Sequence, residues 1–258
     1  GEPEPNNRDL VRLRQLVEFA YARVPYYRAA LDDHGVPPQR LQSPQDVRDL
    51  PLLTRELIRT RFDDLRAYAR LPHVHRRSSG GSTGSPVTVL VDMNRMGMAE
   101  AGRIRAHRWF HVKPGAREIV LWGSPIEITR QDRIRQIRDW CLNSRLLSAF
   151  DMGERALERH LAAIYRHQPV KMYGYASSLY LLAAYLEHHD ALPPPSLRAV
   201  FATAEPLFDF QRKTIESALG CQVGVEYGCR DGGLVALECP EGGLHILAEG
   251  MVVEILDP

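Results

Sequence analysis

Five apolar, strand-like runs between Glu118 and Tyr227 alternate with helical stretches, and this rhythm constrains the fold more than any other feature of the chain. The runs are Glu118–Trp122, Leu146–Phe150, Val170–Tyr173, Leu197–Ala202 and Gln222–Tyr227. Between them lie helical patterns over Thr129–Asn143, around Leu157, Leu161 and Ile164, over Ser177–His188 and over Phe208–Leu219, the last followed by Gly220 as a left-handed stop. Strands alternating with helices of about ten to fifteen residues predict an α/β architecture with a mostly parallel sheet. From Leu234 the rhythm changes. Short apolar runs at Leu234–Leu237, His245–Leu247 and Val252–Leu256, broken by Gly242-Gly243 and Gly250, read as β-hairpins without helices.

The region before the core reads as helical. Leu10, Leu13, Val17, Ala20, Tyr21 and Val24 recur at helical spacing until Pro25, and a second short helix, Tyr26–His34, closes on Gly35. Ser43-Pro44 and Thr54 each open a further short helix. The predicted organisation is therefore a helical N-terminal cap packed on the core (residues 1–77), an α/β core (78–233) and the start of a β-rich subdomain (234–258). Within the core, a helix over Asn94–Phe110 stops at Lys113-Pro114-Gly115.

Where cap meets core stands Ser78-Ser79-Gly80-Gly81-Ser82-Thr83-Gly84-Ser85-Pro86, running into Val87–Val91. Glycines let a backbone approach a polyanion closely, and consecutive N–H groups and hydroxyls supply donors to phosphate oxygens. It is no Walker loop, because Ser85-Pro86 stands where Lys-Ser/Thr would follow the last glycine. Composition alone fits a phosphate grip and a flexible surface connection equally.

A formal net charge of +1 gives no global reason for a nucleic-acid or membrane partner and directs attention to a small molecule. No run of about 18 apolar residues is present to span a bilayer, and Gly1–Pro5 has no apolar leader, so a cytoplasmic protein is expected. Four cysteines in 258 residues are too few for a disulfide scaffold.

In open α/β sheets ligands bind outside the carboxyl ends of strands. Tyr173-Gly174-Tyr175, Thr203-Ala204-Glu205-Pro206 and Glu226–Gly233 sit at three such ends, and with the Ser/Thr/Gly loop they are expected to converge on one crevice. Together these motifs resemble the adenylate-forming enzymes of the acyl-CoA synthetase superfamily, specifically the phenylacetate–CoA ligase-like branch. Ser79–Pro86 is similar to that family's Ser-Ser-Gly-Thr-Thr-Gly-x-Pro signature, Thr203–Pro206 to its Gly-Ala-Glu-Pro turn, and Tyr227–Asp231 to its Tyr-Gly-x-Thr-Glu motif. Val24-Pro25-Tyr26-Tyr27, Pro51–Thr54 and Gly242–His245 resemble further segments of the branch.

The resemblance implies the large N-terminal part of an ATP-dependent carboxylate ligase that forms an acyl-adenylate and passes the acyl group to CoA. An adenylating amide ligase or carrier-protein loader, and an inert binding homologue, are the alternatives. It implies that Ser79, Gly80, Gly81, Ser82, Thr83 and Gly84 hold the ATP phosphates, that Tyr227 and Gly228 with Ala204, Glu205 and Pro206 receive the adenine, and that Asp231 binds Mg²⁺. Thr83, Arg230 and Asp231 are the implied catalytic group. Arg230 and Asp231 replace the motif's Thr and Glu, and Gly80 replaces a Ser. Glu205 has a second reading as a charge placed at a helix start. For the acid, expected to be aryl or medium-sized, Trp122, Gly123, Gly174, Tyr175 and Ser177 are the expected pocket, since they follow strands beside the crevice. The family's small mobile C-terminal domain is expected to be absent from this chain. A homodimer is compatible with this reading.

Cys229, Cys239 and His245 form a second candidate, as ligands of a structural Zn²⁺ in the hairpin segment. Unligated thiols are the competing reading. The histidines, His107 among them, are expected mostly at the surface and are given no catalytic role.

Overall fold

The computed structural model describes residues 7–68, 73–78, 86–123, 138–229 and 232–255. The chain divides into two compact units, residues 1–98 with 248–252, and residues 99–247 with 253–258.

In the first unit, α1 (Asn7–Arg23) runs into α2 (Pro25–Asp33), whose first position is proline, where the missing N–H leaves no helical bond unmade. Val17, Leu31, Val36 and Leu41 form its buried cluster. Short 3₁₀ turns follow at Pro38–Arg40 and Pro44–Asp49. Thr54 Oγ1 accepts from Leu57 N at 3.2 Å and opens α3 (Arg55–Thr60), as its position predicts. Strand β2 (Thr88–Val91) follows the Ser/Thr/Gly stretch in sequence, as expected, and pairs antiparallel with β1 (His75–Ser78), Ser78 opposite Thr88. β1 has no sequence signature: its four residues are polar and all exposed, so no alternation marks it.

The second unit is built on a seven-stranded sheet of order β4-β3-β5-β6-β7-β8-β9. β3 (Glu118–Trp122), β4 (Ser144–Ser148), β5 (Lys171–Tyr175), β6 (Ala199–Thr203) and β7 (Gln222–Cys229) are parallel. β8 (Gly233–Glu238) and β9 (Leu244–Ile246) add antiparallel. The predicted α/β class with a mostly parallel sheet and a C-terminal hairpin region is thus the observed one. The third expected hairpin run is not: residues 251–255 form no strand, and Val252, Val253 and Ile255 stay exposed. Apolar alternation makes a strand only where a partner edge accepts its ladder, and this run pairs with no strand among the described residues.

Alternate residues of each strand face opposite sides. On one side Ile119, Leu121, Met172, Val200, Ala202 and Val223 meet the apolar faces of α5 (Glu154–His167), α6 (Ala176–His188) and α7 (Asp209–Leu219) in one buried cluster. Fully burying a side chain of this size contributes about 1.5–3 kcal/mol, so this layer is the main source of stability in the unit. On the other side Phe110, Val112, Ala199 and Phe201 form a smaller cluster with Tyr173 against it. The same side carries Glu118, Lys171 and Glu226, which face the last turns of α4 (Met93–Trp109).

Candidate active site

β3, β5, β6 and β7 are parallel neighbours, so their carboxyl ends share one edge. Register sets Tyr175 beside Thr203 and Thr203 beside Glu226, with Leu121 beside Gly174 one strand further out. Three sequence-predicted turns therefore leave the sheet side by side, spaced by about 4.8 Å per strand.

Each turn has a local reason for its shape. After β3, Gly123 takes a positive φ of 85°, which glycine adopts without strain. After β5 the chain enters α6 directly, with Tyr175 extended at the cap. After β6, Ala204 is held at φ +65°, a left-handed conformation that costs a non-glycine residue energy and marks the turn as constrained by its surroundings. Thr203 Oγ1 donates to the Glu226 carbonyl at 2.9 Å, tying the β6 and β7 ends together. Glu205 Oε2 accepts from Ser177 N at 3.0 Å, so this carboxylate sits on an open N–H of the first turn of α6. The helix-start reading of Glu205 is therefore correct in kind, with α6 rather than the following helix as its partner. In β7 the register slips between Tyr227 and Gly228, and a Cβ on Gly228 would stand 2.5 Å from the Gly233 carbonyl oxygen, a distance only glycine avoids. Tyr227 is 60% exposed.

Of the expected acid-pocket residues, Trp122 and Tyr175 form a parallel stack, centroids 4.2 Å apart and planes 11° apart, with Tyr173 behind at 5.9 Å from Trp122. Gly174 faces the opposite side, where its missing Cβ lets the Leu121 backbone approach. Ala204, Glu205, Pro206, Tyr227, Gly228, Trp122, Gly123, Gly174, Tyr175 and Ser177 are thus carried to one sheet edge. Ser79, Gly80, Gly81, Ser82, Thr83, Gly84, Arg230 and Asp231 lie outside the described residues.

The zinc expectation fails. No group of three metal-ligating side chains occurs among the described residues. Register explains why: Cys229 lies opposite Gly233, whereas His245 lies opposite Leu237, four residues further along β8. That is about 13 Å at the usual strand rise, too far for a shared ion. Cys239 and His245 do approach one another across Gly243, whose built Cβ would lie 3.7 Å from each, but two ligands do not close a structural zinc site.

Sequence reasoning missed a buried polar network that runs across the sheet face carrying Glu226. Glu226 is 2% exposed. Arg103 Nε donates to both of its carboxylate oxygens at 3.1 Å, and His107 Nε2 lies 3.1 Å from Oε1. Lys171 Nζ reaches His107 Nδ1 at 3.3 Å and Glu118 Oε2 at 2.8 Å, and Arg103 NH1 donates to Glu100 at 2.8 Å. An ammonium has only hydrogens to offer, so Nδ1 accepts and the ring proton sits on Nε2, aimed at Glu226. Opposite charges alternate along Glu118, Lys171, Glu226, Arg103 and Glu100, with the neutral His107 ring bridging Lys171 and Glu226, which is how a buried set of ionised groups becomes tolerable.

The ionisation states follow. Burial pushes His107 below the ordinary histidine range, outweighing its hydrogen bond to Glu226, and the Lys171 charge adds to the lowering. Burial by itself would raise Glu226, yet the hydrogen bond from His107 and the charge of Arg103 hold it below the usual carboxylate range. Tyr173 is pushed up to about 12, mainly by burial. His107 is stacked on Phe201 at 3.8 Å and is held neutral.

A pH dependence of stability follows. A histidine whose folded pKa lies below its unfolded value of 6.5 binds fewer protons folded than unfolded. Its contribution is intact above about pH 6.5 and is lost as pH falls through the folded value; Glu226, lowered from 4.5, adds loss of the same sign at still lower pH. The melting temperature is expected to fall between pH 7.5 and 5.5, and His107→Gln, which keeps a donor to Glu226 and an acceptor for Lys171 but cannot titrate, is expected to flatten that decline. An unchanged slope in the variant would assign the decline to other groups.

The fold is the one found in solved acyl-CoA ligases. A 2-hydroxyisobutyryl-CoA ligase solved in an open conformation with 2-HIB-AMP and CoA superimposes with a TM-score of 0.73 at 17% identity, over 93% of this chain and 54% of that one. In sequence, the phenylacetate–coenzyme A ligases of Escherichia coli and Thermus thermophilus are 28% and 25% identical, each over 96% of this chain and over 57% and 56% of their own length. Protein CapK of Staphylococcus aureus is 24% identical over 78% of this chain and 45% of its own. The chain spans about half the length of the curated relatives it matches. No protein-family model matches it. The resemblance to the phenylacetate–CoA ligase-like branch of the adenylate-forming enzymes, read from the motifs, is borne out.

Proposed function

We propose that the protein takes part in ATP-dependent activation of a small carboxylic acid, forming an acyl-adenylate and then an acyl-CoA thioester. The observation that carries the reading is the shared edge of β5, β6 and β7, where the constrained Thr203–Pro206 turn adjoins the exposed ring of Tyr227. In the first step a carboxylate oxygen of the acid bonds to the α-phosphorus of ATP, the bond from that phosphorus to the bridging oxygen breaks, and pyrophosphate leaves with its electron pair. In the second the CoA thiolate bonds to the acyl carbon and AMP departs.

Tyr227 offers a π face to adenine, and the backbone of Ala204 and Glu205 lines the purine edge, with Gly228 allowing close approach. Ser79–Gly84 supply hydroxyl and amide donors to the β- and γ-phosphates, with Thr83 among them, and Arg230 offers a cation to the leaving pyrophosphate. The Asp231 carboxylate is a hard oxygen donor of the type that suits Mg²⁺. When bound, the ion would neutralise phosphate charge. Trp122 and Tyr175 present an apolar aromatic wall to the acid beside Gly123, Gly174 and Ser177, which favours an aryl or other flat substituent. In this reading residues 78–233 are the nucleotide- and acid-binding core.

The test is a screen of carboxylic acids for acid-dependent ATP–pyrophosphate exchange by the longest gene product carrying these residues. Exchange stimulated by a particular acid, with thioester formed on adding CoA, is the expected result. Nucleotide binding without exchange for any acid would leave an inert homologue, and exchange followed by transfer only to an amine or carrier protein would replace CoA as the acceptor.

A further inference from the structure

We propose that Glu226 is a positioning residue, clamped by Arg103 and His107 so that the next side chain, Tyr227, is held in the direction needed to receive adenine; the inference rests on the nucleotide reading above. Successive strand residues point to opposite faces, so a fixed Glu226 side chain fixes the rotation of the strand about its own axis and with it the direction of Tyr227. The clamp has a rigid base. Arg103 and His107 are four residues apart on α4, which places both on one helix face, and both reach the same carboxylate, at 3.1 Å in each case. A second tether acts on the backbone of the same residue, Thr203 Oγ1 donating to the Glu226 carbonyl at 2.9 Å.

The position calls for such a device. The ladder to β8 slips between Tyr227 and Gly228 before resuming at Gly228 opposite Leu234, so the regular spacing of strand pairing is broken where the proposed adenine platform begins. Tyr227 itself is 60% exposed and gains little orientation from packing. The groups facing the clamp are Glu100, Arg103 and His107 from α4, Glu118 from β3, Lys171 and Tyr173 from β5, and Thr203 from β6. Among these described residues the charged ones, Glu100, Arg103, Glu118 and Lys171, form ion pairs of opposite sign around the carboxylate, and Arg103 with the His107 hydrogen bond holds it ionised.

Calorimetric titration with AMP at pH 7.5 tests the inference on four proteins beside the parent: Glu226→Gln, Tyr227→Ala, the double variant, and Leu161→Ala. The last lowers stability from the cluster on the opposite sheet face. Glu226→Gln is expected to weaken AMP binding about tenfold, while the double variant binds no more weakly than Tyr227→Ala, because an effect transmitted through Tyr227 vanishes once that ring is gone. Leu161→Ala is expected to lower the melting temperature and leave AMP affinity unchanged. Parental affinity in Glu226→Gln, additive losses in the double variant, or an equal loss in Leu161→Ala would each overturn the positioning role while leaving nucleotide binding standing. A parent that binds neither AMP nor ATP would remove the nucleotide reading and this inference with it.

Discussion

Gly174→Ala is expected to destabilise the protein by about 3 kcal/mol, at the upper end of what overpacking costs. The added Cβ would stand 2.7 Å from the Leu121 carbonyl oxygen and 2.8 Å from the Leu121 Cβ. Both atoms belong to the adjoining strand, β3, in the interior of the parallel sheet, so relief requires moving a strand rather than turning a side chain. Gly102→Ala provides the contrast. Its Cβ would come as close, 2.7 and 2.8 Å, but to the methyl ends of Leu247, which can rotate; it also exchanges glycine for alanine inside α4, a gain of about 1 kcal/mol in helix propensity. Chemical denaturation of the two variants should separate them by more than about 2 kcal/mol, since a loss of about 3 at Gly174 stands against a propensity gain of about 1 at Gly102 that the repacking of Leu247 partly offsets. Equal midpoints would mean that the sheet yields at Gly174.

Glu226→Ala is expected to cost about 3–5 kcal/mol, the usual penalty for removing one member of a buried ion pair. The loss is not simply that of the contacts. Arg103, with a side chain only 27% exposed, would retain its charge without its bidentate partner, and the proton on His107 Nε2 would lose its acceptor. A surface pair behaves otherwise: Arg159 and Asp151 meet at 3.2 Å with side chains 66% and 63% exposed, and Asp151→Ala should change stability by less than about 1 kcal/mol. If Glu226→Ala unfolds at the parental denaturant concentration, the network contributes no net stability.

Elements set by local signals are marked sharply in this sequence, and those set by distant contacts are not. Strand β3 is legible to the residue because Glu118–Trp122 is bounded by charge on one side and glycine on the other. Strands β4 and β6 are displaced from their apolar runs by one or two residues, since the run and the hydrogen-bonded ladder need not start together. β1 escapes detection because a polar hairpin arm has no period to find. Among the candidate site residues, those in short turns are legible: Thr203–Pro206 and Tyr227–Gly228 stand out by glycine, proline and hydroxyl content, and parallel topology brings them together. The zinc trio fails on the same topology, because spacing along a chain does not reveal which residues lie opposite one another across an antiparallel pair.

The sequence by itself determined the alternation of strands and helices, hence the α/β class, and it determined the order of motifs that marks the ligase resemblance. These are local properties, carried by periodicity and by turn residues. Only the tertiary structure decided that Glu226 is buried and ionised, because its partners Arg103 and His107 lie 123 and 119 residues away and arrive on a helix packed across the sheet face. Arg103 and His107 look like ordinary members of a basic helix until β7 is placed beneath them. Local sequence fixes which backbone forms where, whereas the environment of a buried charge is set by every element packed around it, and that sum exists only in the folded chain.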